Sequence, residues 1–301
     1  MSSQPLPGLS PEFQAFVANL WASPLPEDLM AMRAAYDGMG AQFTPNPKIN
    51  RRDATLGGQR CVWFEPKAGS LSGAVLYLHG GGFSIGSVAS HAHMGDGLAE
   101  RTRRATVLVD YRLAPEHPYP AALDDAFTAY VELAQAFPSV ALVGDSAGGG
   151  LVAALMARAH GEGLRPAVCA YLMSPWVDLS LSSPTIVSKA AVDPFANRAI
   201  LEAMVARYLP AGGADDPLVS PVLATFGPDT PVLIQTGSAE ALLGDSFRLV
   251  AALGEADAQV DLQVWRQMIH VWPWLYPTLP EGEAAFAEGS AFVKRHLDRP
   301  S

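Results

Sequence analysis

The feature that most constrains this 301-residue chain is an alternation of short apolar runs with longer helical stretches, which begins near residue 50. Most of the runs are rich in β-branched residues and apolar throughout, as expected for strands buried on both faces of a sheet. Alternation of this kind predicts an α/β fold, with a mostly parallel central sheet of about eight strands and helices on both faces. The predicted strands are 49–56, 61–65, 74–79, 105–110, 139–144, 167–173, 231–237 and 260–265.

The first two runs are joined by Gly57-Gly58, which predicts a hairpin at an antiparallel edge of the sheet. Two segments with helix-like patterns, residues 1–45 and 180–215, fall outside the alternation. Because open α/β sheets bind ligands beyond the carboxyl ends of their strands, we expect these segments to form a small helical cap, or lid, over that edge. The alternative is that they only extend the core. In both cases the chain, residues 1–301, is predicted to be a single domain.

The composition, 49% hydrophobic and 17% charged residues, is typical of a globular protein. The formal net charge of -10 would repel a phosphate backbone, so nucleic-acid binding is not expected. No apolar run approaches the ~20 residues needed to cross a bilayer. The N-terminal residues MSSQPLPGLSPEF lack the basic and apolar regions of a secretory signal. We therefore expect a cytoplasmic protein that does not insert into membranes.

The two cysteines, Cys61 and Cys169, lie in apolar, strand-like segments. Both are expected to be buried, reduced thiols. Neither belongs to a CxxC motif or a Cys/His cluster, so the sequence predicts no metal site.

The sequence Gly144-Asp145-Ser146-Ala147-Gly148 follows a predicted strand and opens a predicted helix. This is the G-x-S-x-G pattern in the strand–turn–helix context of a nucleophile elbow. A turn this sharp forces the serine backbone into a strained conformation and leaves no room for side chains at positions 144 and 148. Ser146 is therefore the candidate nucleophile. The alternative is a glycine-rich turn in which Ser146 only caps the helix.

A second glycine-rich motif, His79-Gly80-Gly81-Gly82-Phe83, follows the strand predicted at 74–79. Successive glycines expose backbone N–H groups, and donors fixed in advance can stabilise an oxyanion. We expect the amides of Gly81 and Gly82, together with that of Ala147, to form such an oxyanion hole. His79 is expected to support the loop through hydrogen bonds. Phe83 is expected either to line the pocket or to be part of the core.

These motifs, with the segments DYRLAPEHPYPAALDDA (110–126) and MSPWVDL (173–179), resemble those of the hormone-sensitive lipase family of α/β-hydrolases. The resemblance extends from about residue 60 to 300 and is weak over the first 45 residues. It implies an α/β-hydrolase fold and esterase activity on short- or medium-chain carboxylic esters, without a cofactor. Family members often form homodimers through an edge strand, which makes a homodimer possible here. The charged residues of the YRLAPE segment are expected to be structural: Arg112, Glu116 and Asp124.

In this fold the acid and then the base follow the nucleophile along the chain. Only two histidines, His270 and His296, follow the candidate acids. His296 lies in a terminal helix beside Lys and Arg and is expected at the surface, whereas His270 follows the last predicted strand, where the family carries its base. For the acid, Glu240 stands where the family commonly has Asp, and Asp245 is the alternative. We favour Glu240 because it is closer to the end of the strand.

The predicted function is therefore ester hydrolysis through an acyl-enzyme intermediate. Two alternatives remain at this stage. The same residues could cleave amides, lactones or carbamates, because they do not specify the leaving group. The chain could also be a non-catalytic protein that binds small molecules. Aromatic residues of the additional segments and of the loop after His270 are candidates for the pocket wall: Phe13, Trp21, Phe195, Tyr208 and Trp272.

Overall fold

The computed structural model describes residues 9–69 and 72–299. The strands are β1 (Ile49–Leu56), β2 (Gln59–Pro66), β3 (Ala74–Leu78), β4 (Ala105–Val109), β5 (Val140–Asp145), β6 (Cys169–Met173), β7 (Val232–Gly237) and β8 (Val260–Trp265). The α-helices are α1 (Pro11–Ala22), α2 (Leu29–Ala41), α3 (Val88–Thr102), α4 (Ala121–Ala136), α5 (Ala147–Gly161), α6 (Thr185–Ser188), α7 (Arg198–Tyr208), α8 (Leu243–Glu255) and α9 (Pro280–Leu297). Within the described ranges, none of these helices has both the length and the apolar character needed to cross a membrane.

All eight strands belong to one sheet, in the order β1-β2-β4-β3-β5-β6-β7-β8. β1 and β2 form an antiparallel hairpin and β2 pairs antiparallel with β4, while every pairing from β4 to β8 is parallel. The prediction of a mostly parallel sheet with an antiparallel edge is therefore confirmed. β3 lies between β4 and β5, so the strand order reverses there. Ligands bind at such a switch point in open α/β sheets, and here it brings the loops after β3 and β5 together.

The sheet separates two apolar cores because successive side chains of a strand point to opposite faces. In β3, Leu76 and Leu78 belong to the core that α4 and α5 cover, whereas Val75 and Tyr77 belong to the core that α3 and α9 cover. β3 to β7 are buried along their whole length, which explains why their sequences are apolar throughout. Cys61 and Cys169 are buried as expected, one in each core.

Helices α1 and α2 account for most of residues 1–45, the first of the two predicted cap segments, although residues 1–8 lie outside the described residues. Helices α6 and α7 lie within the second. Arg33 of α2 donates hydrogen bonds to the backbone carbonyl of Ser84 and, through two nitrogens, to the carboxylate of Glu116. The hydrogen bond ties α2 to the loop after β3, and the ion pair ties it to the loop after β4. Glu116 thus has the structural contacts expected of it.

The other two charged residues of that segment also make structural ion pairs. The guanidinium of Arg112 binds the carboxylate of Asp125 through two nitrogens, at 2.9 and 2.7 Å. Asp124 accepts a 2.7 Å hydrogen bond from Arg158 of α5. These contacts fix the start of α4 beside the loop that precedes it.

The surface position expected for His296 is wrong. The side chain is buried, and its Nδ1 lies 3.0 Å from the backbone carbonyl of Phe292, one helical turn earlier. Helix α9 packs against the sheet, so His296 lies on its inward face although its sequence neighbours Lys294 and Arg295 are charged. Sequence neighbours on a helix point about 100° apart, so charged neighbours do not show which way a residue faces.

Candidate active site

Ser146 lies in the sharp turn between β5 and α5, with φ 51° and ψ -121°. Positive φ is rare for a residue with a side chain and costs of order 1–3 kcal/mol, so the surrounding structure must enforce it. The backbone N–H of Ser146 donates to the carbonyl of Met173 on β6, and its own carbonyl accepts from Gly150 and Trp176. These hydrogen bonds hold the turn, and the Ser146 hydroxyl projects beyond the end of the sheet.

The glycines on either side of Ser146 are required by close packing, as the sequence predicted. A Cβ on Gly148 would lie 2.0 Å from the backbone oxygen of Leu78, and one on Gly144 would lie 2.5 Å from that of Gly148. Both distances are far shorter than real contacts of a Cβ. The start of α5 can therefore approach β3 only when position 148 lacks a side chain, and the turn at Ser146 can close only when position 144 lacks one.

The loop after β3 brings Gly81 and Gly82 into the wall of the same cavity as Ser146. Gly81 has φ 117°, and a Cβ there would lie 2.2 Å from the backbone oxygen of Ile85. The N–H of Gly80 donates to the Asp145 carboxylate, which anchors the loop beside the turn of Ser146. Ala147 is the first residue of α5, where backbone N–H groups have no partner within the helix.

His79 supports this loop from behind. Its Nδ1 lies 2.8 Å from the carbonyl of Gly80, and its ring stacks on Tyr111 with centroids 4.2 Å apart. Burial lowers the pKa of His79 to about 4, so the ring is neutral at physiological pH. The Tyr111 hydroxyl donates back to the carbonyl of His79. The interpretation of His79 as a support for the loop agrees with these contacts.

His270 follows β8 and brings its Nε2 to 2.9 Å from the Ser146 hydroxyl. On the other side of the ring, Nδ1 lies 3.7 Å from Oε1 of Glu240. Burial alone would lower the pKa of His270, but the adjacent Glu240 carboxylate, together with Asp193 and Asp145, outweighs burial and raises the pKa above its usual value. The three side chains thus form one line, from hydroxyl to imidazole to carboxylate.

Glu240 is fully buried, just after β7. Its Oε2 accepts hydrogen bonds from the Ser174 hydroxyl at 2.7 Å and from the Gly237 N–H at 2.8 Å. Its Oε1, which faces His270, has no hydrogen-bond partner among the described residues, and neither does Nδ1 of His270. Ser174 also accepts the N–H of Val271, so one hydroxyl positions both Glu240 and the loop of His270.

Asp245, the alternative acid, binds elsewhere. Its Oδ2 accepts the backbone N–H groups of Val177 and Asp178, at 3.1 and 3.0 Å. Burial, followed by the nearby Asp178 carboxylate, raises the pKa of Asp245 to about 7. The first turn of α8 therefore turns this side chain toward the segment after β6 and not toward His270.

The cavity over Ser146 has a volume of about 70 Å³. Both additional segments contribute to its wall, and Phe195 is one of the lining residues, as predicted. The loop of His270 contributes Trp274. The residues that line the cavity are Leu25, Tyr36, Met39, Gly81, Gly82, Ile85, Ser146, Trp176, Phe195, Ala196, Ile200, Leu201, Met204, His270, Val271, Trp274 and Leu275.

Three expected pocket residues are not part of this wall: Phe83, Tyr208 and Trp272. Phe83 and Tyr208 are buried and stack on each other with centroids 4.0 Å apart, which places them in a layer behind Trp176. Trp272 is fully buried in the core against Trp265, because the left-handed turn at Val271 directs Trp274 to the cavity instead.

Phe13 and Trp21 line a different, mainly apolar cavity of about 500 Å³, to which Lys189, Ser238 and Ile269 also contribute. These two aromatic residues of α1 are therefore separated from Ser146.

Sequence reasoning missed several residues of the site. Trp176 and Ser174 both lie in the segment MSPWVDL, which carried a recognisable signal, but nothing local showed that they face the site. Asp193, whose carboxylate accepts the N–H of Ala241 next to Glu240, gave no signal, since a single Asp-Pro pair predicts only a turn. Within residues 9–69 and 72–299, no group of three His, Cys, Asp or Glu side chains is placed to hold a metal ion.

Comparison with known proteins agrees with the fold. A family model described as the alpha/beta hydrolase fold matches residues 75–273. An acetyl-hydrolase of Streptomyces hygroscopicus is 36% identical over 243 residues, which are 80% of this chain and 81% of the relative. An esterase of Acinetobacter venetianus is 32% identical over 267 residues, 87% of this chain and 88% of that protein.

Solved structures extend the similarity over almost the whole chain. An esterase from the bacterial hormone-sensitive lipase family has a TM-score of 0.92 with this structure. It is 31% identical in sequence, and the match covers 99% of this chain and 100% of the other. The esterase EstE5, in a crystal soaked with p-nitrophenyl butyrate, has a TM-score of 0.91 with 33% identity and coverage of 96% and 100%. Together with the motifs and the fold, these matches show that the chain belongs to the hormone-sensitive lipase family of α/β-hydrolases.

Proposed function

We propose that the protein is a serine carboxylesterase in which Ser146, His270 and Glu240 form the catalytic triad. The observation that carries this proposal is the 2.9 Å distance between the Ser146 hydroxyl and Nε2 of His270, inside a cavity that can hold a substrate. Relatives named acetyl-hydrolase and esterase support the choice of ester over other acyl derivatives.

In the proposed mechanism His270 takes the proton of Ser146 while the serine oxygen attacks the ester carbonyl. The resulting oxyanion accepts hydrogen bonds from the N–H groups of Gly81, Gly82 and Ala147, each worth ~3 kcal/mol in the transition state. His270 then protonates the leaving alcohol, and the acyl group stays on Ser146. Water attacks the acyl-enzyme in the same way and releases the carboxylic acid.

Glu240 holds the imidazole in the correct tautomer and stabilises its cation. The 3.7 Å distance between Nδ1 and Oε1 is longer than a hydrogen bond. Such contacts are often long in unliganded enzymes and shorten when substrate binds. Since neither atom has another partner among the described residues, the pair is free to close when His270 becomes charged.

We further propose that residues 1–45 and 180–215 act as a helical cap on a single domain, because both segments supply residues to the wall of the cavity. The cavity volume of about 70 Å³ favours short acyl chains. A buried cavity of ~150 Å³ holds benzene, so the space here fits an acetyl to butyryl group far better than a long chain.

A panel of p-nitrophenyl esters with matching p-nitroanilides tests the proposal. We expect kcat/KM to be highest for acetyl or butyryl esters and to fall at least about 100-fold for palmitoyl, with anilides turned over much more slowly than esters. Faster turnover of anilides would assign the protein to amide hydrolysis. A preference for palmitoyl would contradict the role proposed for the small cavity.

The pH profile of kcat/KM gives an independent test. Only the neutral form of His270 can accept the proton of Ser146, so activity should rise with pH through the pKa of His270. Because Glu240 raises that pKa, we expect the midpoint of the acid limb to lie above the ~6.5 of an ordinary histidine. A midpoint well below that value would argue against an ionised carboxylate beside His270.

A further inference from the structure

Asp193 is a fully buried carboxylate in the segment between α6 and α7. It accepts three backbone hydrogen bonds. Its Oδ1 accepts the N–H groups of Phe195 and Ala196, at 2.9 and 3.0 Å, and its Oδ2 accepts the N–H of Ala241 at 2.7 Å. A buried carboxylate with both oxygens occupied is held in a single orientation.

The partners of Asp193 belong to two different parts of the site. Phe195 and Ala196 line the cavity over Ser146, whereas Ala241 directly follows Glu240. A single carboxylate thus connects the cap wall to the loop that carries the proposed acid. Thr185 of α6 adds a second connection, because its hydroxyl donates to the carbonyl of Ala241 at 2.7 Å.

Asp193 also acts electrostatically on His270. Its charge raises the pKa of His270 in the same direction as Glu240 does. Burial raises the pKa of Asp193 itself to about 6, with His270 opposing the shift and Glu240 adding to it. At neutral pH the Asp193 carboxylate is therefore largely ionised, and it joins Glu240 and Asp145 in favouring the His270 cation.

We propose that Asp193 is a positioning residue for ester hydrolysis, which holds the Glu240 loop against the cap wall and helps to stabilise the imidazolium form of His270. The proposal rests on the proposed function and adds to it a link between cap and triad. A purely structural role would be to close the turn from 193 to 196, which needs only Oδ1. The hydrogen bond to Ala241 and the field at His270 go beyond that role.

Asp193→Asn tests the proposal, with Asp245→Asn as the matched control. Asp245 is also a buried carboxylate that accepts two backbone N–H groups, but it lies against Val177 and Asp178 and not against His270. In Asp193→Asn the amide nitrogen must face one set of N–H groups, and the charge is lost. We expect kcat for a butyryl ester to fall about 10-fold, and the acid limb of kcat/KM to move about half a pH unit lower.

The control should lose less thermal stability, because its amide oxygen can still accept both N–H groups, and its acid limb should stay where it is in the unsubstituted enzyme. An Asp193→Asn enzyme that folds and keeps both kcat and the acid limb would overturn the proposal, as would an equal displacement of the limb in Asp245→Asn. Asp193→Glu covers the case in which Asp193→Asn does not fold. In this variant the charge remains, but the longer side chain disturbs the hydrogen bond to Ala241. We therefore expect kcat to fall while the acid limb stays at the same pH. An unchanged kcat would refute the positioning role.

Failure of the proposed function would look different. If the unsubstituted protein did not hydrolyse esters at all, the assignment of Ser146, His270 and Glu240 would fail before any variant was compared. If the unsubstituted protein hydrolyses esters and the Asp193 variants keep its kcat and its acid limb, only the positioning role of Asp193 is refuted.

Discussion

Ser146→Ala is expected to lower kcat for a short-chain p-nitrophenyl ester by about 10⁴- to 10⁶-fold, because no other nucleophile stands at the end of the line from Glu240 to His270. The methyl group of alanine occupies less space than the serine side chain, so the turn and the cavity should persist. The residual rate over water would come from the N–H groups of Gly81, Gly82 and Ala147 and from substrate binding. Stopped assays at high enzyme concentration would measure it.

Covalent labelling separates loss of the nucleophile from loss of the fold. An organophosphonate should add one adduct to the unsubstituted protein and none to Ser146→Ala, as read by intact mass. Ser290→Ala is the matched control, since Ser290 is a buried serine of α9 whose hydroxyl has no hydrogen-bond partner among the described residues. Full labelling of Ser146→Ala, or loss of labelling in Ser290→Ala, would contradict the assignment of the nucleophile.

Glu240→Gln is expected to reduce kcat by about 10³- to 10⁴-fold. The glutamine oxygen is needed to accept the hydrogen bonds of Ser174 and Gly237, which turns the amide nitrogen toward Nδ1 of His270. A donor at that position forces the hydrogen onto Nε2, and the imidazole can then no longer accept the proton of Ser146. Turnover of a butyryl ester near neutral pH measures the effect.

The comparison variant is again Asp245→Asn, which should keep kcat within about threefold, because its amide oxygen can still accept the N–H groups of Val177 and Asp178. Because burial raises the pKa of Asp245 to about 7, the substitution removes little charge near neutral pH. The opposite ranking, with Asp245→Asn inactive and Glu240→Gln active, would transfer the acid role to Asp245.

The strands of the sheet could be predicted from the sequence because burial on both faces leaves an uninterrupted apolar run, as in AVLYL and ATVLV. The turn of Ser146 could be predicted because its steric demands are local: a strained serine needs small neighbours within a few residues. His270 and Glu240 could be predicted only from the order of the residues along the chain and from the family resemblance. The pairing of β7 with β8, not their own sequences, brings the two loops together.

The cavity wall could not be predicted for a physical reason. Its residues come from segments more than 100 positions apart, such as Tyr36 and Met204, and which side of a helix faces the site depends on packing between those segments. Trp272 and Trp274 illustrate the difficulty. Both are aromatic, buried in the same core and only two residues apart, yet only Trp274 also lines the cavity. The buried position of His296 likewise depends on which side of α9 faces the sheet.

Four neighbouring strands, β5, β6, β7 and β8, each deliver one polar group in turn: Ser146, Ser174, Glu240 and His270. Neighbouring strands are ~4.8 Å apart, so the separation of these groups is inherited from backbone pairing. Helices that merely rest above the strand ends do not set that spacing. Replacement of the covering segments during divergence, as long as the contact of Asp193 with the Glu240 loop is kept, can therefore change which acids and alcohols are accepted while the reacting groups keep their distances.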